Sequence, residues 1–269
     1  MTAPRFPRGL VQPEGAYRFG LEALLLAAFA VRTMRERGRG ARREVAVAEL
    51  GSGCGAALLG VALRLPRALC LGLEREAALV AAARANAEAL GLSGRVRFFA
   101  ADVGAPPPND AVPRDMVIAN PPWGLPGSGR RSPWALREGA LRGADAPARS
   151  GGDAFPVFCA AAGRLLRHKG LFCCITPASA LTRICAALED ARLGLRRILP
   201  LRPHTGDAAH RLLLLAQKGA RAEPEFRPPL TLHRRAASSG PTWTRAALAF
   251  CPWLAAQAAA APTPHGDAP

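Results

Sequence analysis

The chain has 269 residues, 49% of them hydrophobic, with a formal net charge of +16 and an isoelectric point near 11.3. That length and apolar content fit one α/β domain with a sizeable core better than several small ones, and the charge points to a polyanionic partner such as nucleic acid or an acidic membrane surface. The seven cysteines form an odd set without a C-x-x-C pair, which excludes a disulfide framework and reads as small core residues of a reducing cytosol.

In chain order, Tyr17 to about Arg37 has the length and apolar spacing of a helix that packs on something larger. Its apolar stretch LEALLLAAFAV (21–31) carries Glu22, is too short to span a bilayer and starts too late for a usual signal peptide, so a soluble cytoplasmic protein is expected. EVAVAEL (44–50) is a strand that stops at GSGCG, and the helical AALLGVALRL follows. ALCLGLE (68–74) is a second strand, leading to an Ala-rich helix from Glu76 to Leu90 with Gly91 as its C-cap. RVRFFAAD (95–102) and DMVIAN (115–120) are the third and fourth strands.

From Leu125 to Gly152 the chain is rich in Gly, Pro, Ser and Arg, the composition of a long loop at the edge of a site. A helix (Ala154 to Arg167), a strand (170–176), a helix (Ala178 to Arg192) and two strands (195–203 and 210–219) complete the alternation. The last two strands are joined by a short loop and should pair antiparallel. The expected fold is a doubly wound, Rossmann-like α/β sheet of seven strands with the last strand antiparallel. Three regions are expected: a lead and helix over 1–43 packing on the cofactor site, the main domain over 44–235, and a C-terminal helix with a disordered tail over 236–269, the tail beginning near Ala255.

ELGSGCG places Glu49 at the end of the first strand and Gly51, Gly53 and Gly55 in the turn to a helix, where missing Cβ atoms let a ligand approach the backbone. The same letters also read as the G-x-G-x-x-A of a dinucleotide site. Glu74 ends the second strand, where a carboxylate can accept two ribose hydroxyls, and Asp102 ends the third, where it can meet an adenine amino group. Three acids at the carboxyl ends of neighbouring strands fit one adenosine-containing ligand.

The fourth strand ends in Asn120, Pro121, Pro122 and Trp123. An exocyclic amino or carboxamide nitrogen is a poor nucleophile because its lone pair is delocalised. The Asn120 side-chain oxygen and the Pro121 carbonyl can accept its N–H bonds, the prolines fix their directions, and the Trp123 ring offers a stacking platform for a planar substrate. The nitrogen can shed its proton after transfer, so positioning and hydrogen bonding suffice.

The pair ELGSGCG and NPPW resembles the class I S-adenosylmethionine-dependent methyltransferases that act on planar amino nitrogens. More narrowly, QPEGAYRFGLEALLLAAF (12–29), GSGRRSP (127–133) and PLTLHRR (229–235) resemble the bacterial tRNA(Val) adenine-N6 methyltransferase family, which methylates the adenine next to the anticodon. The resemblance covers about residues 6 to 250. It implies that Glu49, Gly51, Gly53, Glu74 and Asp102 hold S-adenosylmethionine and that Asn120, Pro121, Pro122 and Trp123 hold the target base. It further implies that Tyr17, Arg18 and Phe19 close the cofactor pocket, and it makes tRNA the partner of a monomer that needs no metal and no membrane. Trp123 stands where the family more often has Tyr, and Leu21-Glu22 where it has a small residue followed by Asp.

Arg130 and Arg131, with Arg137 and Arg142 in the same loop and the HRR of 233–235, are candidates for phosphate contacts. His168, His204 and His210 show no metal spacing. Glutamine-N5 methyltransferases of release factors share the corner motif but carry a separate N-terminal helical domain, whereas about 48 residues precede Glu49 here. Ribosomal RNA guanine-N2 and DNA adenine methyltransferases also share it. An NAD-dependent oxidoreductase accounts for the glycine loop alone, and a non-catalytic RNA-binding module for the charge alone.

Overall fold

The structure, a computed structural model, describes residues 6–16, 18–38, 43–105, 112–122, 154–235 and 242–257. Its centre is a sheet in which β1 (Val45–Leu50), β2 (Ala68–Glu74), β3 (Val96–Ala100), β4 (Arg114–Ala119) and β5 (Leu166–Pro177) run parallel. β6 (Leu193–Arg202) and β7 (Arg211–Lys218) complete the spatial order β3-β2-β1-β4-β5-β7-β6, with β7 antiparallel to both of its neighbours. The seven expected strands are all present. Two-residue strands β8 (Glu225–Phe226) and β9 (Leu230–Thr231) extend the sheet beside β6, making nine in total. β10 (His233–Arg234) and β11 (Thr242–Trp243) form a separate ribbon.

Strand side chains alternate between two buried faces. Met116 and Ile118 of β4, Cys173 and Ile175 of β5, and Leu213 and Leu215 of β7 point to one core. Val117 and Ala119, Phe172 and Cys174, and Leu212 and Leu214 point to the other. Burial on both faces explains why these strands read as unbroken apolar runs. The first core is closed by α1 (Leu21–Glu36), α2 (Ala56–Arg64) and α3 (Ala77–Ala89), the second by α4 (Phe155–Leu165) and α5 (Leu181–Asp190). Truncating a fully buried leucine such as Leu24 or Leu58 to Ala would cost about 2–5 kcal/mol.

Local signals set the ends of these elements. Gly91 (φ 68°) follows α3, its N–H bonding to the Glu88 carbonyl while Leu92 N–H reaches Ala87 O, a Schellman closure that needs a left-handed residue. One boundary differs from the sequence expectation. α4 ends at Leu165 and β5 begins at Leu166, four residues earlier than expected, because a bulge between the Arg114 and Met116 registers absorbs Lys169 at φ 59°. At the C-terminus, α6 (Arg245–Phe250) is followed by α7 (Leu254–Gln257), with Leu254 fully buried in the first core. Residues from 258 onward lie outside the described ones.

Strand order reverses between β1 and β4, and ligands of open α/β sheets gather at the carboxyl ends of strands at such a switch point. The pairing of Leu50 with Ala119 puts the residues that follow, Gly51 and Asn120, on adjacent strand ends about 4.8 Å apart in the pairing direction.

Candidate active site

The glycine loop is fixed by backbone bonds to β2: Gly51 N–H and Ser52 N–H both donate to Leu73 O, at 2.8 and 3.0 Å. Gly51, Gly53 and Gly55 all have left-handed φ, at 65°, 54° and 87°, a region costly for other residues. Their surroundings differ. A Cβ on Gly55 would stand 2.7 Å from the Phe98 ring and one on Gly51 3.3 Å from the Phe158 ring, whereas at Gly53 it would meet nothing within 4 Å. Gly51 and Gly55 therefore serve packing as well as conformation, while Gly53 presents open backbone to the site.

Each acid of the first two strands supports this loop. Glu49 is 3% exposed and accepts Leu58 N–H at 3.0 Å. Leu58 lies in the first turn of α2, whose N-cap Gly55 has no side chain, so the carboxyl group satisfies a donor that the helix start leaves free. Burial holds the Glu49 carboxyl well above the usual carboxylate range; the Leu58 hydrogen bond opposes this and the negative charge of Glu74 adds to it. Glu74 accepts Gly53 N–H through one oxygen at 2.8 Å and Glu76 N–H through the other at 3.0 Å. Each oxygen keeps a second lone pair for ribose hydroxyls.

Asp102 lies two residues beyond β3, exposed, and accepts Gly104 N–H at 2.6 Å, so its carboxylate shapes its own turn at the outer edge of the carboxyl end. Cys54, within the loop, has a thiol pushed up to about 11 by burial, with Glu49 and Glu74 adding to the shift, and is a neutral packing group.

On β4's carboxyl end, Pro121 is buried and Asn120 half-buried. The Asn120 Oδ1 atom is buried and has no hydrogen-bond partner among the described residues, an arrangement that costs about 1–3 kcal/mol unless a donor arrives. Its place beside Gly51, in register with the loop, suits an acceptor aimed at an amino group.

The structure thus brings Glu49, Gly51, Gly53, Glu74 and Asn120 with Pro121 and Pro122 to one stretch of the sheet edge, with Asp102 at its margin. Arg18 is exposed and Phe19 packs against the first core. Tyr17, Trp123, Arg130, Arg131, Arg137 and Arg142 lie outside the described residues. Of the HRR segment, Arg235 pairs with Asp207 at 3.1 Å and His233 stacks on Trp243 at 4.4 Å. Among the described residues no group of three His, Cys, Asp or Glu side chains converges as metal ligands, and no helix is long and apolar enough to cross a membrane.

Sequence reasoning passed over two residues. Gly72 faces Phe98 so closely that a Cβ would stand 2.2 Å from its ring, and Asn86, 2% exposed, binds both the N-terminal lead and the glycine loop. A lone amide in an otherwise alanine-rich helix was the available signal for Asn86.

Comparisons with known proteins agree with this architecture. A release factor glutamine methyltransferase of Chlorobaculum tepidum is 32% identical over 133 residues, 47% of this chain and 44% of that protein. One from Moorella thermoacetica is 35% identical over 107 residues, 37% of either chain, so the matched stretch spans less than half of both relatives. A tRNA1(Val) (adenine(37)-N6)-methyltransferase of Enterobacter is 27% identical over 200 residues, 74% of each chain.

Among solved structures, an Agrobacterium tumefaciens protein described as a predicted O-methyltransferase superposes with a TM-score of 0.64 at 24% identity, over 86% of this chain and 96% of that one. A Thermus thermophilus 16S rRNA N2-guanosine methyltransferase, solved with S-adenosylmethionine and guanosine, gives 0.50 at 21%, over 76% and 44%. The fold is that of the class I S-adenosylmethionine-dependent methyltransferases. The model of the RMKL-like methyltransferase domain matches residues 21–161, just over half of the chain, and the protein belongs to that family.

Proposed function

We propose that the protein transfers a methyl group from S-adenosylmethionine to the exocyclic N6 of an adenine in tRNA, with position 37 of tRNA(Val) as the first candidate. The observation that carries the chemistry is the orphaned Asn120 Oδ1 in register with the glycine loop, an acceptor in search of an N–H donor beside a donor pocket. The observation that favours tRNA is the relative whose likeness runs along 74% of both chains. The surplus of arginine over acid favours a polyanionic acceptor as well.

The residues present fit S-adenosylmethionine. Gly53 leaves room against the backbone, Glu74 offers free lone pairs to ribose hydroxyls, and Glu49 lies below the loop where a cationic ligand would draw it toward its charged form. When bound, S-adenosylmethionine supplies an electrophilic methyl carbon on a sulfonium. Asn120 Oδ1 and the Pro121 carbonyl would hold the two N–H bonds of the adenine amino group and favour a pyramidal nitrogen, whose lone pair would then be free to accept the methyl carbon that S-adenosylmethionine would supply. The extra proton on nitrogen is acidic after transfer and leaves to solvent, so no side chain need act as a strong base. Trp123 would stack on the base, and Arg130 and Arg131 would meet phosphate. The regions 1–43 and 44–235 then correspond to a wall of the donor site and the catalytic sheet, and of 236–269, expected as a C-terminal helix and disordered tail, Ala247, Cys251 and Leu254 pack into the first core.

Glutamine methylation on a release factor is the second reading, favoured by the higher identity of those relatives over the shorter central stretch. Transfer of labelled methyl groups to unmodified total tRNA and to a purified release factor, followed by nucleoside and amino-acid analysis, separates the two. Label recovered as N6-methyladenosine is the expected result; label on glutamine alone would overturn it.

A further inference from the structure

We propose that Asn86 is a positioning residue for the methyl donor: it fastens the Val11–Gly20 lead to the glycine loop, so that this lead forms a fixed wall across the donor site. The inference rests on the reading of the glycine loop as the site of S-adenosylmethionine.

The Asn86 amide is bonded through its oxygen and through both N–H groups. Its Oδ1 accepts Val11 N–H at 2.7 Å, and its Nδ2 donates to Val11 O at 3.0 Å and to Cys54 O at 2.9 Å. The first two bonds grip both polar groups of one lead residue, as a neighbouring strand would; the third reaches into the glycine loop one residue from Gly53. A buried amide bonded in this way specifies one geometry, because any shift of the lead leaves polar groups unpaired.

The lead is also held beyond this point. Phe19 N–H donates to Gln12 Oε1 at 3.0 Å, tying these two residues together, and Ala16 is buried. Where the lead enters α1, Glu22 pairs with Arg211 at 3.5 Å, and Arg211 is the β7 partner of Pro177, the last residue of β5. One anchor therefore stands on the β1–β2 side of the carboxyl edge and the other on the β5–β7 side. The lead thus starts beside the glycine loop, next to Gly53, and enters α1 beside the ends of β5 and β7.

Two variants separate positioning from folding. Val11→Pro removes the N–H given to Asn86 at a residue that is 54% exposed, leaving the Cys54 bond and the core intact. Asn86→Asp keeps the acceptor and loses both donors. The readouts are tryptic cleavage after the exposed Arg18, affinity for S-adenosylhomocysteine, and thermal midpoint.

Losing one such bond should speed cleavage and weaken binding about two- to tenfold in Val11→Pro, with its midpoint close to that of the unaltered protein. Asn86→Asp should show the same changes, larger. Cleavage and affinity in Val11→Pro equal to those of the unaltered protein would overturn the proposal, even if Asn86→Asp melts early, since that pattern is purely structural. Faster cleavage without loss of affinity would overturn the link to the donor. If the unaltered protein takes up no S-adenosylhomocysteine, the underlying reading falls and the donor role of Asn86 falls with it.

Discussion

At the carboxyl ends of β1 and β2 the polar groups close on one another: Glu49 on Leu58, Glu74 on Gly53 and Glu76, and the loop N–H groups on Leu73. One strand away, at the end of β4, Asn120 Oδ1 is buried with no partner among the described residues. Apart from Ser52 Oγ, also buried with no partner among the described residues, the first region is complete by itself; on the proposed reading the second is completed by its substrate. Preformed donors and acceptors suit a small ligand shared by many enzymes of a fold, whereas an open acceptor suits a substrate that brings its own hydrogen bonds.

Four substitutions probe that contrast. The largest effect is expected from Asn120→Ala, which should lower kcat about 10²–10³-fold, as loss of one preorganised polar group does, while affinity for S-adenosylmethionine measured by calorimetry stays unchanged. Full activity in this variant would remove the acceptor role. Next comes Gly72→Ala on the donor side. A methyl group 2.2 Å from the Phe98 ring must displace it, and an overpacked core costs about 1–3 kcal/mol, read as a lower midpoint in urea unfolding.

Gly53→Ala should be milder for the fold, about 1–2 kcal/mol for a left-handed alanine, because nothing lies near the new carbon. Its main effect should be weaker binding of S-adenosylhomocysteine, where Gly72→Ala acts first on stability. Equal binding by Gly53→Ala and the unaltered protein would place the ligand elsewhere.

The smallest effect at acid pH belongs to Glu49→Gln. The folded pKa of Glu49 is raised above its unfolded value, so its contribution to stability is fully present below about 4.3 and is lost as pH rises through the folded pKa. Below about 4.3 both variants carry a neutral group in the folded and unfolded states, one that accepts Leu58 N–H when folded, and they should differ by a fraction of 1 kcal/mol. At higher pH the glutamine variant should become the more stable. Melting curves across pH test this, and a gap that shrinks with pH would contradict the assignment.

Much of this was readable beforehand for identifiable reasons. Strands buried on both faces announce themselves as apolar runs, and Gly51, Gly53, Gly55 and Gly91 occupy turns that require left-handed φ. The paired ends of β1 and β4 follow from the alternation of strands and helices, which is why Glu49, Glu74 and Asn120 could be placed at one edge from their positions in the chain.

What escaped depends on long-range contact. Strands of two residues such as β8 and β9 have no period to detect, the bulge at Lys169 follows from β5 pairing with β4, and the partners of Asn86 lie 75 and 32 residues away. Gly72 reads as an ordinary strand residue until Phe98 is seen against it. Asp102, expected to meet an adenine amino group, also accepts Gly104 N–H within its own turn, a bond that its place at the strand end did not announce.

The most direct measurement is a calorimetric titration of S-adenosylhomocysteine into the purified protein with no methyl acceptor present, and NAD in a parallel run. A donor site complete in itself predicts saturable binding at one site per chain, weakened in Gly53→Ala and unchanged in Asn120→Ala, with no response to NAD. Absence of binding without an acceptor, or binding of NAD in its place, would contradict the account.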